Sequence, residues 1–221
     1  PDSFAVNPHI QKSLPFDPVR DFTPVSRLVS SDAHILTVAP NLPARSVKEL
    51  IAWVRNADNK ASYGSPGIGG TTHLAGALFN ALVEGKAVHV PYKSGAAMMQ
   101  ALVAGDVNYI FVTPPSGLPL VKAGKIRALA YNHAARFAAL PDVPTMAEAG
   151  GPKSELAATW HGLLGPARLP AELLKRIEGE VRRAIAAPEV RELFLKTGVN
   201  PVGDSPEEFR SFLRSEEHTS E

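Results

Sequence analysis

The stretch Tyr63-Gly64-Ser65-Pro66-Gly67-Ile68-Gly69-Gly70-Thr71-Thr72-His73 decides how this chain folds. Lys60-Ala61-Ser62-Tyr63 approaches it like a short strand, and an apolar helical run leaves it at Leu74. Its four glycines, Gly64, Gly67, Gly69 and Gly70, let backbone N–H groups turn toward one point. The following helix adds its first-turn amides and the positive end of its dipole there. A turn so built can cradle an anion.

The motifs that the stretch fails to complete narrow the anion. The phosphate-loop spacing G-x-x-x-x-G-K-[ST] is met by Gly64, Gly69 and Thr71, but Gly70 stands in the lysine's place, which argues against a nucleoside triphosphate. In G-x-G-x-x-G, Gly67 and Gly69 are followed by Thr72 where the third glycine belongs, so the dinucleotide pattern fails as well. Gly64-Ser65-Pro66-Gly67 is not a nucleophile elbow. What remains is a cation-free cradle of amides at Gly67, Gly69 and Gly70 with the hydroxyls of Ser65, Thr71 and Thr72, suited to one carboxylate. A glycine-rich turn with no ligand is the plain alternative.

Outward from the turn, elements alternate. Upstream, Phe22 to Val29 and His34 to Ala39 read as strands, and Ser46 with Glu49 forms a capping box before Val47, Leu50, Ile51 and Val54 at helical spacing. Downstream, Leu74, Ala77, Leu78, Ala81 and Leu82 mark a helix. Strand Val88 to Val90, helix Ala96 to Ala104 with its stop at Gly105, and strand Val107 to Val112 follow. This β-α-β-α-β order predicts an α/β fold with parallel strands and a ligand at their carboxyl ends. A short helix to Ala123 and strand Ile126 to Tyr131 complete the series.

Beyond His133 the character changes. Thr145-Met146-Ala147-Glu148 is a second capping box, Gly150-Gly151-Pro152 breaks the chain, and Leu156 to Leu164 reads as a strand. Helices are expected after Pro170, with Leu173, Leu174, Ile177, Val181 and Ile185 on one face, after Pro188, and after the box Ser205-Pro206-Glu207-Glu208. The proline-rich start is expected to be loop with one helical turn around Ile10-Gln11-Lys12. The last eight residues, 214–221, resemble the translation of a sequencing adapter and are set aside as a non-native tail, the chain being expected to be a fragment cut at both ends.

Composition excludes several functions. The 221 residues carry 44% hydrophobic side chains and a net charge of +1, so one large or two small cores are expected and neither nucleic acid nor an anionic membrane is suggested as partner. Cysteine is absent, which removes disulfides and thiolate chemistry. The histidines are scattered without H-x-x-x-H spacing, so no metal and no cofactor are expected. Neither paired carboxylates nor a Ser-His-Asp order emerges, so no catalytic residue is expected.

Three further side chains, beyond the hydroxyls of Ser65, Thr71 and Thr72, are candidates for the same site. His73 can donate to a ligand carboxylate or cap local backbone. Tyr92, in Tyr92-Lys93-Ser94, and Ser116, in Thr113-Pro114-Pro115-Ser116, each follow a strand's carboxyl end, where the bland readings are a solvated loop and a helix cap. Trp160 is more simply a core residue.

Taken together, Y-G-S-P-G-I-G-G-T-T-H-L-A-G-A-L-F, H-V-P-Y-K-S-G-A-A-M-M-Q-A-L-V-A-G-D-V, A-G-K-I-R-A-L-A, L-P-D-V-P-T-M-A-E-A-G, W-H-G-L-L-G-P-A and S-P-E-E-F resemble the substrate-binding receptors of tripartite tricarboxylate transporters, the Bug receptors. The resemblance implies a two-lobed periplasmic-binding-protein (type II) fold and a periplasmic, monomeric receptor made with an upstream signal peptide. Such a receptor captures a small carboxylate between its lobes, hands it to membrane permease subunits and catalyses nothing. It implies one discontinuous lobe from residues 1–32 and 133–213, a second from 33–132, and a ligand-binding role for the loop from Ser65 to His73. Departures from the family pattern are Gly70 for Ser, Ser94 for Gly, Asn108 for Asp and Val112 for Asp. The last two remove negative charge expected near the cleft and favour a plain mono-, di- or aromatic carboxylate over an amino acid. Rival readings are an enzyme acting on a phosphorylated or carboxylate substrate with His73 or Lys93 as acid or base, and the ligand-sensing domain of a transcription regulator.

Overall fold

A computed structural model describes residues 15–17, 20–31, 33–153 and 159–218. The expected turn at Ile10-Gln11-Lys12, the beginning of the Leu156 strand and the last three tail residues lie outside them. The chain divides into a discontinuous unit, Pro1–Ser31 with Thr159–Glu221, and a continuous unit, Asp32–Ala158.

Eight strands are described: β1 Phe22–Ser31, β2 Ile35–Val38, β3 Ser62–Ser65, β4 Val88–Pro91, β5 Tyr109–Val112, β6 Arg127–Tyr131, β7 Thr159–Pro166 and β8 Asn200–Pro201. The helices are α1 Val47–Arg55, α2 Thr71–Leu82, α3 Gly95–Ala104, α4 Pro114–Lys122, α5 Ala171–Ala186, α6 Pro188–Thr197 and α7 Pro206–His218. Helix α7 runs through the start of the segment set aside as a tail.

In the continuous unit the sheet order is β4-β3-β5-β2-β6. β3 pairs in parallel with β4 and β5, as the alternation predicts, while β2 lies antiparallel between β5 and β6. All four residues of β2, Ile35-Leu36-Thr37-Val38, are fully buried, which suits a strand covered on both faces. Thr37 meets the cost of that position by donating its hydroxyl to the Ile110 carbonyl at 3.2 Å.

Helix starts and stops follow local chemistry. Ser46 caps α1, its Oγ accepting the Glu49 N–H, and Glu49 in turn accepts the Arg45 N–H at 2.7 Å. Gly105 (φ 85°) and Gly198 (φ 80°) end α3 and α6 in the left-handed conformation. The Thr145–Glu148 box forms both of its arms, at 2.8 and 3.2 Å, yet only a turn follows because Gly150 (φ 71°) and the glycine and proline after it stop propagation.

Two expectations need correction. The first is the helix after the glycine turn: α2 turns Thr71, Thr72, Ala75, Gly76 and Phe79 inward, while Leu74, Leu78 and Leu82 are 37%, 36% and 46% exposed. Small residues face the sheet because Gly76 lies directly against the Tyr63 ring, where any Cβ would overlap it. Close approach of helix to sheet outweighs burial of the leucines.

The second is the boundary expected at residue 133. Residues 133–153 pack on the continuous unit: Tyr131 donates to the Pro144 carbonyl and accepts from Met146, Phe137 stacks on Tyr131 at 5.2 Å, and Phe137 and Met146 enter the buried core. The segment has no strand or helix periodicity, so its attachment depends on these few anchors.

In the discontinuous unit β1 lies between β7 and β8, all antiparallel. Trp160 is buried edge-on against Phe209 and Phe212, a core role. Arg27 stacks on Phe212 at 3.9 Å and pairs with Asp204 at 3.1 Å. Along α5 only Ile185 of the expected face is fully buried, Leu173 being 43% exposed.

Candidate functional site

The parallel registers Tyr63↔His89, Ser65↔Pro91 and Tyr63↔Tyr109 bring the carboxyl ends of β3, β4 and β5 to one side of the sheet. The glycine loop, Tyr92 and the Thr113–Ser116 turn therefore emerge at the same end. That is the end where open α/β sheets bind ligands.

The loop is held by its own residues. Ser65, fully buried at the end of β3, accepts the Gly67 N–H at 3.2 Å and lies 2.7 Å from the Gly67 carbonyl and 2.8 Å from His89 Nε2. Gly67 (φ 139°) and Gly69 (φ 84°) occupy backbone regions that side chains disfavour. Gly69 donates its N–H to His73 Nδ1 at 3.2 Å, so His73 ties the loop to the first turn of α2. Gly70 is the N-cap of α2, extended at φ −76° and ψ 157°, and no side chain caps the helix.

Thr71 and Thr72 are buried beneath the loop, and Thr72 Oγ1 has no hydrogen-bond partner among the described residues. Tyr92 donates its N–H to the Ser65 carbonyl at 2.8 Å, and its ring lies over Gly64. Burial, helped by Asp106, raises its phenol's pKa and keeps it uncharged. Ser116 is exposed in the first turn of α4 and accepts the Thr113 hydroxyl at 3.2 Å. Ser65, Gly67, Gly69, Gly70, Thr71, Thr72 and His73 thus form one connected loop, Tyr92 abuts it, and Ser116 keeps to its own turn.

Behind the loop lies a ring cluster that sequence reasoning missed. His73 and His89 stand 4.1 Å apart, centroid to centroid, and Tyr63 faces His89 at 5.0 Å and Tyr109 at 5.5 Å. Burial lowers the pKa of both histidines, and the charge of His73 lowers that of His89 further. Both imidazoles are neutral at neutral pH. The available signal was His89 itself, a polar residue between Val88 and Val90 on a strand whose parallel register sets it beside Tyr63.

Asn108 corrects an expectation about charge. Its side chain accepts the Ser62 N–H at 2.8 Å at the amino end of β5, the opposite end from the loops, so Asn there has no bearing on ligand charge. That same end carries a groove lined by Pro40, Ile126, Arg127 and Val143, in which the Arg127 guanidinium is engaged by the carbonyls of Pro40, Leu42 and Ala44. Among the described residues no three His, Asp or Glu side chains gather to hold a metal, and no helix is long and apolar enough to cross a membrane.

A family model described as "Tripartite tricarboxylate transporter family receptor" matches residues 1–221. The "UPF0065 protein in tcbD-tcbE intergenic region" of Pseudomonas sp. (strain P51) is 33% identical over 203 residues, covering 92% of this chain and 60% of its own length. The chain therefore spans less than two thirds of that relative. Among solved structures, an R. palustris protein with adipate, Rpa4515, superposes with a TM-score of 0.87 at 31% identity, over 94% of this chain and 69% of its own. A second, described as a periplasmic transporter, gives 0.90 at 34% identity over 99% of this chain and 73% of its own.

Proposed function

Since the chain belongs to the tripartite tricarboxylate transporter receptor family, we propose that it is part of an extracytoplasmic receptor that binds a small organic carboxylate on the loop from Ser65 to His73. The receptor delivers its ligand to membrane permease subunits and performs no chemistry on it. The observation that carries this reading is the start of α2. A helix of 12 residues begins after Gly70 without a side-chain cap, directly after a loop whose Gly67 and Gly69 amides are tied back to Ser65 and His73. Backbone donors and a helix dipole suit a carboxylate without needing a cation.

The ligand class follows from the site's charge and from one relative. Both histidines near the loop are neutral at neutral pH, so the positive field there is partial, matched to one carboxylate group at a time. Rpa4515, 31% identical, was solved with adipate, a flexible dicarboxylate, and adipate is accordingly the first compound to test. Localisation in the periplasm and a monomeric state belong to the same proposal.

Thermal unfolding of the chain in the presence of adipate, shorter and longer dicarboxylates, aromatic monocarboxylates and sugar phosphates tests it. A ligand at a hundred times its dissociation constant stabilises by about 2.7 kcal/mol. A carboxylate that raises the melting temperature supports the receptor reading. Stabilisation by phosphorylated compounds alone overturns it.

A further inference from the structure

Two imidazoles do complementary work at the back of the loop. The Gly69 N–H points at His73 Nδ1 from 3.2 Å, which requires a lone pair there and places the His73 proton on Nε2. Ser65 Oγ already accepts the Gly67 N–H and lies 2.7 Å from the Gly67 carbonyl, to which its one proton goes. The contact of 2.8 Å to His89 Nε2 must then be an imidazole N–H donating to that oxygen. One histidine acts as an acceptor, the other as a donor, and their rings touch.

We propose that His73 and His89 are positioning residues for the carboxylate loop: His73 as a neutral imidazole fixes the Gly69 amide, His89 fixes the Ser65 hydroxyl, and together they set the path of the loop into the first turn of α2, where the ligand is held. This rests on the carboxylate-receptor reading of the same loop. Neither side chain needs to touch the ligand.

The chemistry fixes the sign of the pH dependence. The titratable groups facing the pair are each other, the Tyr63 phenol on β3 and, behind it, the Tyr109 phenol on β5. Burial raises the pKa of both phenols, so they stay uncharged as the histidines titrate. With the folded-state value of His73 lowered, its bond from the Gly69 N–H is intact above the ordinary imidazole range and is lost as pH falls through the lowered value, whereas His89 Nε2–H donates to Ser65 in either state. A proton on His73 Nδ1 sets N–H against N–H and releases Gly69. Carboxylate affinity therefore falls on acidification, whereas a histidine that met the ligand as a cation would make it rise.

The decisive variants remove titration but keep the hydrogen bond. His73→Asn offers an amide oxygen near the Nδ1 position, His89→Gln an amide N–H near Nε2, and His73→Ala removes the function. Without ligand, long-range imidazole nitrogen spectra should show both histidines protonated at Nε2 near neutral pH. Exchange of the Gly69 amide should be about tenfold faster in His73→Ala, and within about threefold of the parent in His73→Asn. By calorimetry, adipate affinity of the parent chain, corrected for adipate's own ionisation, should drop about tenfold from about pH 7 to about pH 5 and stay level in His73→Asn.

Gly69 exchange unchanged in His73→Ala, or parent affinity that rises on acidification, overturns the proposal. Should His73→Ala not fold, the parent titration against His73→Asn decides by itself. If adipate and its analogues bind at no pH while the ligand-free spectra and exchange behave as expected, the positioning role stands and the carboxylate reading falls.

Discussion

Helices α2 and α3 begin a few residues beyond neighbouring strands of one sheet, yet their first turns are treated in opposite ways. At α3, Ser94 folds its hydroxyl onto the Ala97 N–H at 3.2 Å, closing the end with its own side chain. At α2, Gly70 has no side chain to offer. The other two helices of the continuous unit resemble α3 in leaving little for a ligand: Ser46 caps α1, and α4 opens on Pro114 and Pro115, which carry no N–H at all. The same dipole stands at each of these ends. What singles out α2 among these four is an N-cap with no side chain and a first turn without proline, next to a loop tied back on itself by Ser65 and His73.

The hardest way to break this comparison is to deform the loop before α2. Gly69 sits at φ 84°, a region a β-branched residue occupies only under strain of about 1–2 kcal/mol or more. Gly69→Val should lower the melting temperature by about 2–6 °C. It should also weaken adipate binding by about a hundredfold, because the amide that His73 holds is displaced with the rest of the turn. A folded Gly69→Val chain that binds adipate like the parent would place the site elsewhere.

How much of this was legible beforehand varies with the kind of signal. Turn chemistry was readable: the glycine loop, the Gly105 and Gly198 stops and the boxes at Ser46 and Ser205 depend on neighbours in sequence, and each stands where expected. Which face of α2 turns inward was not, since that depends on Gly76 meeting Tyr63 from another strand. The ring cluster was hidden for the same reason. His73, His89, Tyr63 and Tyr109 come from four elements and meet only through the parallel registers. Residues 133–153 fell on the wrong side of the expected boundary because single anchors such as Phe137 leave no period in the sequence. Asn108 was misplaced because its position near the cleft was taken from the resemblance, although the strand read from Val107 to Val112 already set it at an amino end.

The capped helix supplies the control. Ser94→Ala removes the hydroxyl from the Ala97 N–H and should cost about 1 kcal/mol, seen as a melting temperature lower by about 2–4 °C. Adipate affinity should stay within about twofold of the parent, since an end closed by its own side chain does not face the ligand. A fall in affinity beyond that would show that the start of α3 contributes to the site, and the contrast with α2 would then be one of degree.

The finest test makes α2 resemble α3. Around a Cβ built on Gly70 there is open space, and the backbone at φ −76° and ψ 157° is the extended conformation of an ordinary N-cap. Gly70→Ser should therefore be accommodated without strain and stabilise the unliganded chain by a few tenths of a kcal/mol, the difference between serine and glycine at such a position. If a carboxylate uses the same first-turn amides, ligand and hydroxyl compete for them, and the gain should disappear at saturating adipate, corresponding to an affinity change of less than about twofold. Paired melting curves with and without adipate resolve this, because the serine effect is read as a difference between two states of one variant. A gain that persists unchanged under saturation would mean that ligand and cap use different amides, and the helix end would then not be where the carboxylate is held.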